Sequence, residues 1–355
     1  MPRQYILIIS YDGTRFHGFQ RQYANVSTNT SNNSSNKVVG VMKKRPRVDT
    51  VTGVRPPLVF NHKTVTVQEC LESAILHWIG NSSPLLWTLE KLNLRVAGRT
   101  DKGVHARGQV VAVQLPEEAL VPPKDNNNQQ ALLEPWQIQR AIHGRLPIDI
   151  SIQRVIPVDG PELFDPRHSA KSKQYSYTLK YQRAASNNTE VAVGAQTFRT
   201  ALDDAAPCVW LCPFVLQDDK LRAACQALLG THDYSVFVHK EARRDKDNTL
   251  TITRFDMEIL KEYAPPSLYL INDSNNNNNN NNKPYADIVL AKFYVEGERF
   301  RRTMVRNLIG FLVEVGRGAQ TLDDMDQTIW TGSDQVADLI PVAPASGLCL
   351  EFVKF

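Results

Sequence analysis

One carboxylate stands among cations in the segment Gly98-Arg99-Thr100-Asp101-Lys102-Gly103-Val104-His105-Ala106-Arg107. Two glycines flank the loop, and Arg99, Lys102, His105 and Arg107 surround Asp101 in sequence. Neighbouring positive charge favours the ionised carboxylate, the form that serves as nucleophile or base at neutral pH. The plainer reading is a polar turn whose aspartate caps a backbone amide, and composition alone favours it. A second segment, Tyr11-Asp12-Gly13-Thr14-Arg15-Phe16-His17-Gly18-Phe19-Gln20, is rich in turn residues and aromatics. Its glycines would suit a phosphate loop, but no Gly-Lys-Ser/Thr ending follows, so a P-loop is excluded. Asp12 reads as a turn former. A third segment, Arg167-His168-Ser169-Ala170-Lys171-Ser172-Lys173-Gln174-Tyr175-Ser176-Tyr177, leads cations into a strand with Tyr175 and Tyr177 on one face. Aromatics beside cations suit a base stacked on a ring with phosphates nearby. The alternative is a pair of ordinary sheet tyrosines, and Tyr177 is read that way. A fourth segment, Glu298 to Asn307, sets Arg299, Arg301, Arg302 and Arg306 at a helix start, against the favourable sign of the dipole. Arg302 and Arg306 share a helical face. Such a placement points to an anionic partner, RNA phosphate or a buried carboxylate, with a solvated basic face as the alternative. The turns Gly230 to Ser235 and Ala343 to Leu348 say little alone.

Several function classes fall away. Eight histidines are dispersed without His-Glu-x-x-His or paired-ligand spacing, so no catalytic metal is expected. Five cysteines, an odd number with one close pair at Cys208 and Cys212, argue against a zinc site and a disulfide framework. No Rossmann fingerprint occurs, so no nucleotide cofactor is expected. The net charge of +4 tolerates an anionic partner without demonstrating one. No apolar run approaches the roughly 20 residues that span a bilayer, so no membrane partner is expected. The strand-like run Tyr5 to Ile9 begins almost at once and leaves little room for a signal or transit peptide. A soluble intracellular protein of cytoplasm or nucleus is expected rather than an organellar one.

The elements that hold these segments alternate between strand and helix periods. Strands are expected at Tyr5 to Ser10, Gly108 to Gln114, Ile150 to Val155, Gln174 to Lys180, Leu250 to Leu260, Asp287 to Phe293 and Leu348 to Val353. Thr66 and Glu69 have capping-box spacing, and Val67, Cys70, Leu71, Ala74, Ile75 and Trp78 trace one helical face. Leu221 to Leu229 ends at Gly230, and Met304 to Leu312 marks a third helix. Thr321 with Asp324 opens a fourth, carrying Leu322, Met325 and Ile329. Many connections are too short for crossover helices, so an α+β fold with largely antiparallel strands is expected. Prolines and turn residues between Pro157 and Pro166 divide the chain into halves 1–157 and 158–355. Four polar stretches read as mobile insertions: about 23–63, near Lys124 to Gln130, near Ala184 to Thr189, and about 271–283 around the run Asn275 to Asn282.

In this order the segments resemble one family, the tRNA pseudouridine synthase A family. The resemblance rests on YDGTRFHGFQRQ after the first strand, VQECLESAI on the first helix, GRTDKGVHARGQV, RHSAKSKQYSY, GTHDYSVF, MVRNLIGFLVEVGRG and APASGLCL. It covers the chain apart from the polar insertions. It implies an isomerase with two similar α/β-sandwich halves around a continuous, mostly antiparallel sheet and a catalytic cleft between the halves. It implies Asp101 as the catalytic aspartate and Arg99 as an arginine that helps extrude the target nucleotide. It implies Tyr175 against the uracil, Arg306 paired with the aspartate, and Leu348 as an apolar wall. It implies a homodimer acting on the anticodon stem-loop of tRNA without cofactor or metal. The chain departs from the family pattern at Phe19, where tryptophan is usual, at Phe300-Arg301, where Phe-Leu is usual, and in the charged stretch Lys240 to Asp247.

The implied reaction breaks the N1–C1′ bond of uridine, turns the uracil over and joins C5 to C1′. It has no redox step and discards no leaving group. The base has to leave its stack, at a few kcal/mol. A basic surface has to hold phosphates, with affinity that falls as salt rises. One carboxylate has to attack the ribose or the uracil ring, or remove a sugar proton. Tyr175 would keep the detached uracil in position. Two other classes fit less well. An inert RNA-binding protein on the same scaffold would have no use for Asp101, Tyr175 and Arg306 together. A metal-dependent phosphoryl-transfer enzyme would draw on Asp203, Asp204, Asp323, Asp324 and Asp326, which are more simply helix-start carboxylates.

Overall fold

The computed structural model describes residues 2–25, 40–42, 64–80, 87–121, 132–160, 162–184, 208–243, 247–263, 288–324, 330 and 334–355. The chain divides into two compact units, Met1–Ser169 and Ala170–Phe355. Each mixes strands, nearly all antiparallel, with a few helices, an α+β fold.

The first unit comprises β1 (Arg3–Tyr11), the short ladder of β2 (Tyr23–Asn25) with β3 (Gly40–Met42), α1 (Val67–Gly80), α2 (Leu89–Leu92), β4 (Arg95–Val96), β5 (His105–Leu115), α3 (Pro135–His143) and β6 (Ile150–Pro157). β1 lies in the middle of its neighbours, antiparallel to both: Leu7 faces Val111 of β5 and Val155 of β6. Leu7, Ile9 and Tyr11 alternate along β1 and are buried, as a period of two demands of a strand with one face on the core. β5 is buried on both faces from Gly108 to Val113, which its nearly continuous apolar run permits. β4 pairs with β5 at Arg95 and Val96, so the residues after it enter the Asp101 loop from a fixed strand.

The capping box at α1 forms: Thr66 Oγ1 accepts from the Glu69 amide at 3.3 Å, and Glu69 Oε2 accepts from the Thr66 amide at 3.2 Å. Val67, Leu71, Ala74, Ile75, Trp78 and Ile79 are buried. Glu72 is buried with them, because Arg21 meets it at 2.6 Å with both side chains 5% exposed or less. The sequence reading assigned no helix to α3. Its signals are a proline at the first turn, reciprocal caps between Glu134 and Gln137, and Ile138 and Ile142 one turn apart.

The second unit comprises β7 (Ser172–Arg183), β8 (Trp210–Leu216), α4 (Asp218–Ala227), β9 (Gly230–Asp233), β10 (Thr249–Tyr263), β11 (Ile288–Gly297), α5 (Met304–Gly316), the short helices α6 (Leu322–Asp324) and α7 (Asp334–Leu339), and β12 (Leu348–Lys354). β7 pairs antiparallel with β11 along one edge. Its other edge is shared: β12 takes Ser172 to Tyr177 antiparallel, and β8 takes Leu179 to Arg183 parallel. β10 joins the far side of β11, and β9 joins β10. α5 is buried nearly all round, as its apolar sequence requires of a core helix. β8, β9 and α7 had no counterpart in the sequence reading.

Met325 and Ile329 of the expected fourth helix lie outside the described residues, as do most of 23–63 and all of 124–130, 185–189 and 271–283. No helix among the described residues is long and apolar enough to cross a membrane.

Removing one partner of a buried ion pair costs about 3–5 kcal/mol, while an exposed pair contributes about 1 kcal/mol or less. Glu72→Ala is expected to lower the urea unfolding free energy by that larger amount. Glu117→Ala, which removes an exposed carboxylate paired with Arg3, is expected to change it little. Equal effects from both would show the Arg21–Glu72 pair to be solvated.

Candidate active site

Asp101 and Arg99 share one loop of the first unit, between β4 and β5. The loop is held by backbone. The Asp101 carbonyl accepts from the Val104 amide at 3.2 Å, Phe16 O accepts from Gly103 N at 3.2 Å, and Thr100 O accepts from Phe19 N at 3.1 Å. Two of these bonds come from the Tyr11 to Gln20 segment, which lies directly on the loop. A Cβ added at Gly13 would stand 2.0 Å from the Val104 carbonyl oxygen, and one at Gly18 would stand 2.9 Å from that of Thr100. Gly18 also has φ +92°, a region other residues rarely enter. These glycines let two backbones touch where any side chain would separate them.

Side chains finish the brace. The Tyr11 hydroxyl and Thr100 Oγ1 are 2.7 Å apart, and the Gln109 amide donates to Gly98 O at 2.7 Å. His105 Nδ1 lies 3.1 Å from the Gly13 amide and 3.1 Å from Asp12 Oδ1. Nδ1 accepts from the first when it carries no proton and donates to the second when it does. Asp12 does make a turn, accepting from the Thr14 amide and hydroxyl at 2.9 and 2.6 Å. Partial burial works to raise the Asp12 carboxyl, but the Thr14 bonds and then the His105 charge outweigh it and hold it below the usual aspartate range. Asp101 itself is half-buried, with the exposed Arg99 and Lys102 to either side of it in sequence.

Tyr175, Arg306 and Leu348 belong to the second unit. Tyr175 lies on β7 and is buried, with the Phe300 ring edge-on at 5.2 Å. Arg306, in the first turn of α5, donates from Nε to Ala343 O at 2.6 Å. Leu348 opens β12 in register with Tyr177 and is buried. A strap from Pro341 to Gly347 joins these positions. A Cβ at Gly310 of α5 would stand 1.8 Å from the Pro341 oxygen, and one at Gly347 would stand 2.5 Å from the Tyr177 ring. The Tyr177 hydroxyl donates to Pro344 O at 2.8 Å, and burial pushes its phenol well above the ordinary tyrosine value, so it stays a donor. Tyr177 is thus a packing tyrosine that fixes the strap.

Among the described residues no group of His, Cys, Asp and Glu is arranged to hold a metal ion. Asp203, Asp204 and Asp326 lie outside the described residues, and Asp323 and Asp324 sit in the short α6.

The sequence model of the family described as tRNA pseudouridine synthase matches residues 224–355. Likeness to curated proteins extends further. The tRNA pseudouridine synthase A of Thermosipho africanus is 27% identical over 353 residues, covering 99% of this chain and all of that protein. That of Clostridium kluyveri is 26% identical, covering 98% of each chain. That of Geobacter sp. (strain M21) is 27% identical over 294 residues, 82% of this chain and 89% of that protein. Over nearly its whole length this chain is similar to proteins named tRNA pseudouridine synthase A.

Two departures from the tRNA pseudouridine synthase pattern turn out to be each other's partners. Arg301 donates from Nη2 to the Asp247 carbonyl at 2.6 Å, and Arg302 approaches Glu241 at 4.0 Å. The basic helix start is therefore partly matched by the charged stretch from Lys240 to Asp247. The sequence reading missed the bracing roles of Tyr11, Thr100, Gln109 and the four glycines. Their signal in the sequence was the glycines of three short segments.

Gly13→Ala is expected to lower the unfolding free energy by about 1–3 kcal/mol, because the obstacle is backbone that has to shift. Amide exchange at Gly103 and Val104 is expected to quicken with it. Gly80→Ala, where a new Cβ meets nothing within 4 Å, serves as the neutral control. An unchanged loop in Gly13→Ala, judged by exchange, would refute the brace.

Proposed function

We propose that this chain is a tRNA pseudouridine synthase, an isomerase that converts uridine to pseudouridine in tRNA. The observation that carries the reading is the likeness over 98–99% of the chain to proteins named tRNA pseudouridine synthase A. The segment Gly98 to Ala106, which holds the one carboxylate set among cations, folds as a braced loop, and this supports Asp101 as the catalytic residue. Rigid support is what a reacting group needs, since misplacement by an ångström costs rate steeply.

Asp101 acts on the nucleotide once the N1–C1′ bond is to be broken. C5 of the turned uracil then joins C1′, the C5 hydrogen leaves as a proton, and N1 takes a proton. Atoms and electrons balance without an oxidant, a reductant or a discarded group. Arg99 helps extrude the target nucleotide, and unstacking is the step that lets a buried base reach a side chain. Tyr175 packs on the detached uracil, Leu348 supplies an apolar wall, and Arg306 serves the charge of the aspartate. The target uridines lie in the anticodon stem-loop and the working form is a homodimer, both extended from the family resemblance.

Asp101→Asn is expected to bind tRNA as the parent does and to lose turnover by more than about a thousandfold. Tritium release from 5-tritiated uridine in tRNA measures it, and normal release would end the mechanistic reading. Tyr175→Phe keeps the ring, so tRNA binding in a gel-shift assay should persist with a partial loss of rate. Loss of binding in that variant would remove Tyr175 from the proposed role.

A further inference from the structure

We infer that Arg99 and Arg167 together clasp one backbone phosphate of the RNA substrate, with Arg167 presented from an anchored turn. The inference rests on the proposed RNA substrate and adds a residue to its binding surface.

Arg167 sits on a turn that is unusually well anchored for an exposed loop. The side chain of Gln4 holds Phe164 in both directions, donating to its carbonyl at 2.9 Å and accepting from its amide at 2.7 Å. Arg95 of β4 meets Asp165 Oδ2 at 2.9 Å. The other oxygen, Oδ1, accepts the Arg167 amide at 2.9 Å, and Asp165 O accepts the amides of His168 and Ser169 at 3.1 and 2.9 Å. Both carboxylate oxygens of Asp165, the acid nearest in sequence, are therefore engaged. Neither goes to the Arg167 guanidinium.

The same Arg95 ties the turn to the strand that leads, four residues later, into Arg99. Arg99 and Arg167 are both exposed, and among the described residues neither guanidinium has a hydrogen bond or an ion pair. The Arg95–Asp165 bridge brings the turn that bears Arg167 against the strand that leads to Arg99. Partial desolvation, and then the like charge of Arg167, draw the Arg99 guanidinium below its ordinary value. Two neighbouring cations with no counter-ion among the described residues make a disfavoured arrangement that an anion relieves. Guanidinium forks match phosphate oxygens in geometry as well as charge. The nucleic acid supplies that anion at every residue of its backbone. The anchored turn fixes the backbone at Arg167, and Arg99 extends from the loop that carries Asp101, so the clasped phosphate belongs to the strand passing that loop.

The test is equilibrium tRNA binding as a function of salt, with turnover measured alongside. Arg167→Ala is expected to weaken binding about tenfold, as loss of a charge-assisted contact does. The slope of log affinity against log salt should shrink by about 0.7–0.9, the value of one phosphate contact. Turnover at saturating tRNA should stay within about twofold of the parent, since the residue acts on binding. Arg167→Lys should restore the salt slope and only part of the affinity, because a point charge cannot bind bidentately. An unchanged slope in Arg167→Ala would overturn the clasp. A fall in turnover with unchanged binding would overturn it equally, by moving Arg167 to a positioning role. Binding is read independently of catalysis. Failure of the parent chain to release tritium would therefore count against the proposed function alone, while the salt slope still decides the clasp.

Discussion

The contact between the Tyr11 to Gln20 backbone and the Asp101 loop is the constraint on which the first unit turns. Gly13 meets Val104 and Gly18 meets Thr100 at distances that leave no space for a Cβ. A loop rich in charge would otherwise be a mobile one, since like charges repel and exposed polar groups gain little from packing. Backbone contact fixes it without burying the charged side chains. The Tyr11–Thr100 and Gln109–Gly98 bonds then satisfy the polar atoms that the contact shuts away from water.

The second unit uses the same device at a different place. Gly310 lets α5 press on the Pro341 carbonyl, and Gly347 lets the strap lie against the Tyr177 ring. Arg306 is held through the strap by the Ala343 carbonyl, and Leu348 follows it into β12. In both units a short glycine-bearing segment, more than any large side chain, sets the position of the residues proposed for chemistry. This explains why GRTDKGVHA and APASGLCL each read as plain turns when taken alone.

Much of the scaffold was legible in the sequence. Short apolar and alternating runs marked β1, β5, β7 and β11, and helical spacing marked α1, α4 and α5, because burial writes the period of each element into the chain. The capping box of Thr66 and Glu69 was legible for the same local reason. What escaped notice had weaker local signals. α3 is short, and its buried residues are two isoleucines. β8 interrupts its strand with Pro213, and it is held by pairing with β7. Glu72 lies off the apolar positions that mark α1 in the sequence, and the charge of Arg21, far away in sequence, makes its burial tolerable.

The residues proposed for the site divide along the same line. The types and order of Arg99, Asp101, Tyr175, Arg306 and Leu348 could be read from the sequence, since a carboxylate among cations and a tyrosine beside cations are chemical facts of local composition. Their supports could not be read. That the Tyr11 hydroxyl meets Thr100, that Arg95 holds Asp165, and that Arg301 pairs with the carbonyl of Asp247 depend on which distant segments meet. A sequence states which groups are present and which periods they follow. Which charges end up paired, and which backbones touch, is decided only by tertiary packing, because those interactions act over ångströms in space between residues far apart in the chain.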